Sequence, residues 1–172
     1  MQKHSAHVEL ALKTIQTYLS EHKIIKIPED TPSELLTKQA GAFVSLHRNG
    51  ELRGCIGTIE PTQNSLAEEI INNAVSAAVN DPRFPPMKLS EMEGLECSVD
   101  VLGEAEPIKD ISELNPKNYG VIVESGYQRG LLLPDLEGID TAEYQVDIAK
   151  KKAGIYPGEK VQLYRFKVER FH

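Results

Sequence analysis

Tryptophan is missing from this chain of 172 residues, and aromatic residues of all kinds make up only 6 % of it. Its core must therefore be built from aliphatic side chains and alanine. Cysteine is scarce as well: Cys55 and Cys97 are the two, far apart and in no paired-ligand motif. That pattern excludes a disulfide framework and a cysteine-rich metal site, and both residues read as reduced thiols of a cytoplasmic protein. No apolar run reaches the roughly eighteen residues of a membrane-spanning helix. The opening residues Met1–Ser5 lead into an amphipathic stretch rather than an apolar signal core, which again points to the cytoplasm. Basic residues are outnumbered, 19 against 26, for a net charge of −7. Such a chain is poorly suited to nucleic acid or an anionic membrane surface, both of which call for counter-charge. Nor are basic and aromatic residues interleaved as single-strand binding requires.

What is present suffices for an ordinary folded domain. Hydrophobic residues are 40 % and charged residues 26 %, and a chain of this length buries about 70 % of its unfolded surface. Val8, Leu12, Ile15 and Leu19 step by four, three and four, which predicts a helix over about 6–21. Lys23–Ile27 is too short, and too close to Pro28, to be more than connector. Ala42–His47 and Glu51–Ile59 read as two strands around Asn49-Gly50, a pair suited to a tight type I′ turn. A two-residue loop with regular pairing sets Arg48 opposite Glu51, His47 opposite Leu52, Leu46 opposite Arg53, Ser45 opposite Gly54 and Val44 opposite Cys55. On that register Arg53, Cys55 and Gly57 share a face with Val44 and Leu46, while His47, Gly54 and Ile56 take the other.

Further along, Ser65 and Glu68 form a capping-box pattern opening a helix to about residue 79. Three prolines within 82–86 stop it. Leu95–Leu102 alternates as a strand, with Cys97 on its apolar side. Tyr119–Glu124 and Gly130–Leu133 resemble a second hairpin, Asp140 and Glu143 suit the start of a helix over 141–153 ended by Gly154, and Val161–Arg170 reads as one closing strand. Strands arriving in hairpins with helices between them predict an α+β fold on a mostly antiparallel β-sheet flanked by helices.

Candidate chemistry concentrates in Leu52-Arg53-Gly54-Cys55-Ile56-Gly57. On a regular strand, residues 53 and 55 point the same way with Cβ atoms roughly 6.5–7 Å apart. A guanidinium at that range stabilises a thiolate. Gly54 and Gly57 would let a ligand approach the backbone. The alternative is a cysteine acting as a small core hydrophobe, with Arg53 at a rim pairing a carboxylate. The second candidate is Asp81-Pro82-Arg83-Phe84. It is either a rigid frame aiming Asp81 and Arg83 at a polar ligand or a stiff connector whose two charges neutralise each other. On the regular register His47 faces away from Cys55, so a Cys–His dyad would need a bulge. His4 and His7 stand three apart on a helix without a further ligand nearby in sequence, so no metal is expected. The Gly-Cys-Ile-Gly run lacks the Lys-Ser/Thr of a phosphate loop, and no cofactor fingerprint appears.

Leu52-Arg53-Gly54-Cys55-Ile56-Gly57-Thr58 resembles the signature of the AMMECR-one domain family. The likeness continues in order through Asp81-Pro82-Arg83-Phe84, Gly130-Leu131-Leu132-Leu133-Pro134, Lys152-Ala153-Gly154 and Tyr164-Arg165-Phe166, so it covers nearly the whole chain, 1–172. The resemblance implies a cytosolic single domain of two α+β lobes, the larger one uniting the two ends of the chain. It also implies kinship with protein A of the AmmeMemoRadiSam system, encoded beside a Memo-like protein and a radical SAM enzyme. It names a fold and a gene neighbourhood rather than a reaction. The residues it carries over are Arg53, Gly54, Cys55 and Gly57 with Asp81, Arg83 and Phe84. The chain departs from the family pattern in having Lys150 where many members have cysteine, and in lacking a tryptophan after it. Two functional expectations follow. In one, the chain is a cysteine-dependent enzyme: Cys55 is a thiolate tuned by Arg53 in a cleft between lobes, and Gly54, Gly57, Asp81, Arg83 and Phe84 bind a small anionic molecule. In the other it is a non-catalytic partner of Memo-like and radical SAM proteins.

Overall fold

The computed structural model describes residues 3–172. Four helices are present, α1 (Ala6–Glu21), α2 (Ser33–Thr37), α3 (Leu66–Val79) and α4 (Ala142–Ala153). The strands are β1 (Ala42–Arg48), β2 (Glu51–Gly57), β3 (Leu95–Leu102), β4 (Glu106–Ile108), β5 (Gly120–Ser125), β6 (Gln128–Leu132), β7 (Gln162–Phe166) and β8 (Val168–Phe171). They form two antiparallel four-stranded sheets, ordered β2-β1-β3-β8 and β4-β7-β5-β6, and the fold is of the α+β class. Among the described residues no helix is long and apolar enough to cross a membrane.

The chain divides into two compact units, one containing the residues up to Val101 together with Glu169–His172, the other Leu102–Val168. In the first unit α1 and α3 lie against the sheet through an aliphatic core. Val8, Ala11 and Ile15 of α1 and Leu66, Ile70 and Ala74 of α3 bury completely with Ala42, Val44 and Leu46 of β1 and Val99 of β3. Alanines on α3 bring its backbone close to β2, so close that a Cβ on Gly54 would collide with the Ala77 carbonyl. In the second unit Gly130 of β6 lies in the same way under the α4 backbone at Ala149. Val121, Val123 and Leu132 form its core with Val146 and Ala149.

Local chemistry accounts for the element ends, with some departures from expectation. The Ser65 hydroxyl accepts the Glu68 N–H, but the Glu68 carboxylate turns to the Asn64 N–H, so the box closes on one side only. Thr141, rather than Asp140, caps α4 by accepting the Tyr144 N–H, and Gly154 ends that helix at φ 73°. The α2 turn was not legible in the sequence, because its five residues make too short a run for periodicity. The second hairpin is tighter than predicted, since Ser125 pairs with Gln128 around Gly126-Tyr127. The closing strand also breaks in two. Lys167 gives its carbonyl to Gly103, and the residues on either side of it join different sheets.

Candidate functional site

Strand β1 decides where the signature residues point. Arg48 pairs with Glu51 and His47 with Leu52, as a tight Asn-Gly turn requires, with Asn49 at φ 53° and Gly50 at φ 77°. The register then slips: Leu46 faces Gly54, Ser45 faces Cys55, Val44 faces Ile56 and Phe43 faces Gly57. Arg53 is the extra residue of a β-bulge. The regular register predicted above is therefore wrong beyond the second pair. Cys55 does not share the buried face of Val44 and Leu46. It stands with Ser45 on the face opposite α3, half-buried, while Gly54 and Ile56 take the core side. The reason is packing: Gly54 is the residue that fits beneath Ala77, and Ile56 belongs in the hydrocarbon core.

The bulge also redirects Arg53. Its Nε and Nη2 donate to the two Glu91 oxygens at 2.8 and 3.2 Å, and Nη2 also donates to the Pro85 carbonyl at 2.8 Å. Arg53 leads the influences that hold the Glu91 carboxyl below the usual carboxylate range. The guanidinium expected beside the thiol is thus engaged by the Glu91 carboxylate.

The two sequence motifs meet on the backbone of Cys55. Asp81, with its side chain 2 % exposed, accepts the Cys55 N–H on Oδ2 at 3.0 Å. Arg83 donates from Nη2 to the Cys55 carbonyl at 3.4 Å. Arg83 also grips Asp81 through Nε at 3.0 Å and Nη2 at 2.8 Å, and its own N–H reaches Oδ1 at 3.0 Å. These bonds, the Arg83 side chain foremost, hold the Asp81 carboxyl far below its ordinary value. The pKa of Arg83 is raised, chiefly by its hydrogen bond to Asp81, with a smaller contribution from charge on Cys55. Because β2 is an edge strand, the Asp81–Arg83 pair occupies the outward N–H and C=O of Cys55 as a neighbouring strand would. Phe84 lies between the two arginines, its ring centroid 5.4 Å from Arg83 Cζ and 5.9 Å from Arg53 Cζ.

On the thiol itself, Cys55 Sγ lies 3.2 Å from Ser45 Oγ. The two glycines do not leave room for a ligand as expected: Ala77 fills the space at Gly54, and the Phe43 ring fills it at Gly57. Cys97, on the core side of β3, is sealed in hydrocarbon, and burial pushes its thiol up to about 12. Ser45 and Glu91 were not anticipated from sequence. A signal for Ser45 existed, though none for Glu91, since a regular register puts Ile56 on the opposite face from Val44 and Leu46. That conflict marks a bulge. Among the described residues no group of three or more His, Cys, Asp or Glu side chains is placed to hold a metal ion.

Comparison with known proteins fits this geometry to a family. A protein of Thermotoga maritima is 52 % identical over 167 residues, covering 96 % of each chain. The protein CA_C1420 of Clostridium acetobutylicum is 45 % identical over 170 residues, although this chain spans only 36 % of its length. The crystal structure of the uncharacterized protein PH0010 from Pyrococcus horikoshii superposes with a TM-score of 0.90 at 37 % identity, covering 98 % of this chain and 91 % of that one. The AMMECR1 family model matches residues 8–171, and the chain belongs to that family.

Proposed function

We propose that the protein acts on or binds a small anionic molecule through the Cys55 thiol, with Arg83 rather than Arg53 as the cation beside it. One observation carries the reading: the half-buried Cys55 has its backbone held by Asp81 and Arg83 while its sulfur rests against a hydroxyl. A guanidinium fixed by a carboxylate loses little conformational freedom on meeting an anion. The Arg83 side chain is 54 % exposed, so it keeps donors for a ligand. A cation near sulfur favours thiolate and hence nucleophilic or ligating chemistry.

The test compares alkylation of Cys55 by iodoacetate and by iodoacetamide across pH, read by peptide mass spectrometry. The expected result is reaction below the ordinary thiol range of about 8.5, with the anionic reagent favoured over its neutral analogue. Arg83→Ala removes that preference, Arg53→Ala leaves it, and Cys55→Ser abolishes labelling at this site. Equal treatment of the two reagents, with the reactivity of a simple thiol, would reject the proposal.

The second reading, a non-catalytic partner of Memo-like and radical SAM proteins, draws on a different observation: Gly54, Gly57 and Arg53 are all engaged by the protein itself. There the signature is a folding element. Co-purification with those partners, undiminished by Cys55→Ser, together with an inert thiol, is the outcome that favours it.

A further inference from the structure

His47 and Glu96 have no part in the reading above, yet the observed register sets them in line with Cys55. Ser45 on β1 stands opposite Cys55 of β2 on one side and Ser98 of β3 on the other; two residues along, His47 stands opposite Glu96. Residues two apart on a strand share a face. Cys55, Ser45, His47 and Glu96 therefore all project from the face opposite α3. Directly opposed residues have Cβ atoms about 4.5–5.5 Å apart and diagonal neighbours about 7–8 Å, within reach of long or aromatic side chains. Ser45 Oγ already lies 3.2 Å from Cys55 Sγ. The Arg53 bulge creates this row, for without it Cys55 would oppose Val44 on the buried face.

We propose that His47 is the proton acceptor for Cys55, acting through the Ser45 hydroxyl, and that Glu96 positions His47. The Cys55 S–H bond breaks as its proton passes to Ser45 Oγ, while the Ser45 proton moves to the unprotonated imidazole nitrogen of His47. Thiolate and imidazolium result. With iodoacetamide as electrophile, an S–C bond then forms, the C–I bond breaks and iodide leaves. Other charged groups face this row in pairs: Asp81 with Arg83 from the loop after α3, and Asp100 of β3 with Arg170 of β8 farther along. Glu96 is the carboxylate set directly across from the imidazole.

The inference rests on Cys55 being a nucleophile, and the experiment separates the two. Rates of Cys55 alkylation by iodoacetamide are measured across pH for the full chain and for His47→Gln, Ser45→Ala and Glu96→Gln, with circular dichroism as the folding check. In His47→Gln and Ser45→Ala the rate at pH 7 falls about tenfold, the change in thiolate fraction for one unit in an apparent pKa. Glu96→Gln shifts the profile the same way by less. A His47→Gln profile identical to that of the unmodified chain overturns the proposal. If that identity accompanies a reactive thiol that Arg83→Ala alone disturbs, the earlier reading stands and only His47 is dismissed. If the unmodified thiol is itself ordinary, both fall.

Discussion

Asp81 binds Arg83 with both carboxylate oxygens and still accepts the Cys55 backbone N–H. Removing its charge weakens its hold on two residues at once. Asp81→Asn is expected to destabilise the fold by about 1.5–3 kcal/mol, the range for hydrogen bonds to a charged group, as read by urea denaturation. The sign with pH is fixed by the direction of the shift. The folded carboxyl ionises well below its ordinary value, so its stabilisation is present above about pH 4 and is lost as pH falls further. Asp81→Asn should flatten that acid limb; an unchanged limb would show that Asp81 contributes nothing there.

Gly54 and Gly50 should respond very differently to alanine. At Gly54 a Cβ meets the α3 backbone at Ala77, which cannot yield without moving a helix. Gly54→Ala is expected to cost about 3 kcal/mol or more. At Gly50 the space is open and only the φ of 77° resists, so Gly50→Ala should cost about 1 kcal/mol. Denaturation midpoints of the two variants test the ordering.

His7 is buried and stacked on Phe171, with ring centroids 3.6 Å apart and planes 11° from parallel. Burial lowers its pKa, with Glu34 and Glu169 opposing and Lys38 assisting. A base held neutral by folding stabilises above its ordinary value of about 6.5 and loses that contribution as pH falls below it. Stability measured between neutral and mildly acid pH should therefore drop, and His7→Gln should remove that part of the slope.

Cys97 serves as an internal reporter. Its thiol is buried and pushed up to about 12, so it should resist alkylation in the native state even at mildly alkaline pH. Its labelling should follow unfolding as urea is added. Rapid native labelling at Cys97 would contradict the packing of β3.

How far the sequence was readable depended on whether local chemistry alone decided the outcome. The α1 stripe, the Asn49-Gly50 turn and the Gly154 helix end were legible because propensity, periodicity and positive φ act within a few residues. The bulge at Arg53 was marked only by Ile56 falling on the wrong face of a regular register, because its place is selected by contacts distant in sequence: Gly54 against Ala77, and Arg53 with Glu91 and Pro85. The same distance hid the role of Asp81. Its spacing to Arg83 allowed either a ligand frame or a self-neutralising pair, and nothing local reveals that the two would clasp Cys55 from 26 residues away. The split after Phe166 escaped notice because Tyr164, Phe166 and Val168 keep a perfect alternation across two sheets.

The brief strand Val168–Phe171 sets the timing of assembly during synthesis. It supplies the edge of the β2-β1-β3-β8 sheet, the Arg170 partner of buried Asp100 and the Phe171 ring beneath His7. A ribosome has made everything else in that unit long before these residues emerge. Until then the nascent unit must wait with one sheet edge bare and a carboxylate uncompensated, so synthesis of residues 168–171, rather than completion of the first hundred, allows the final folding step.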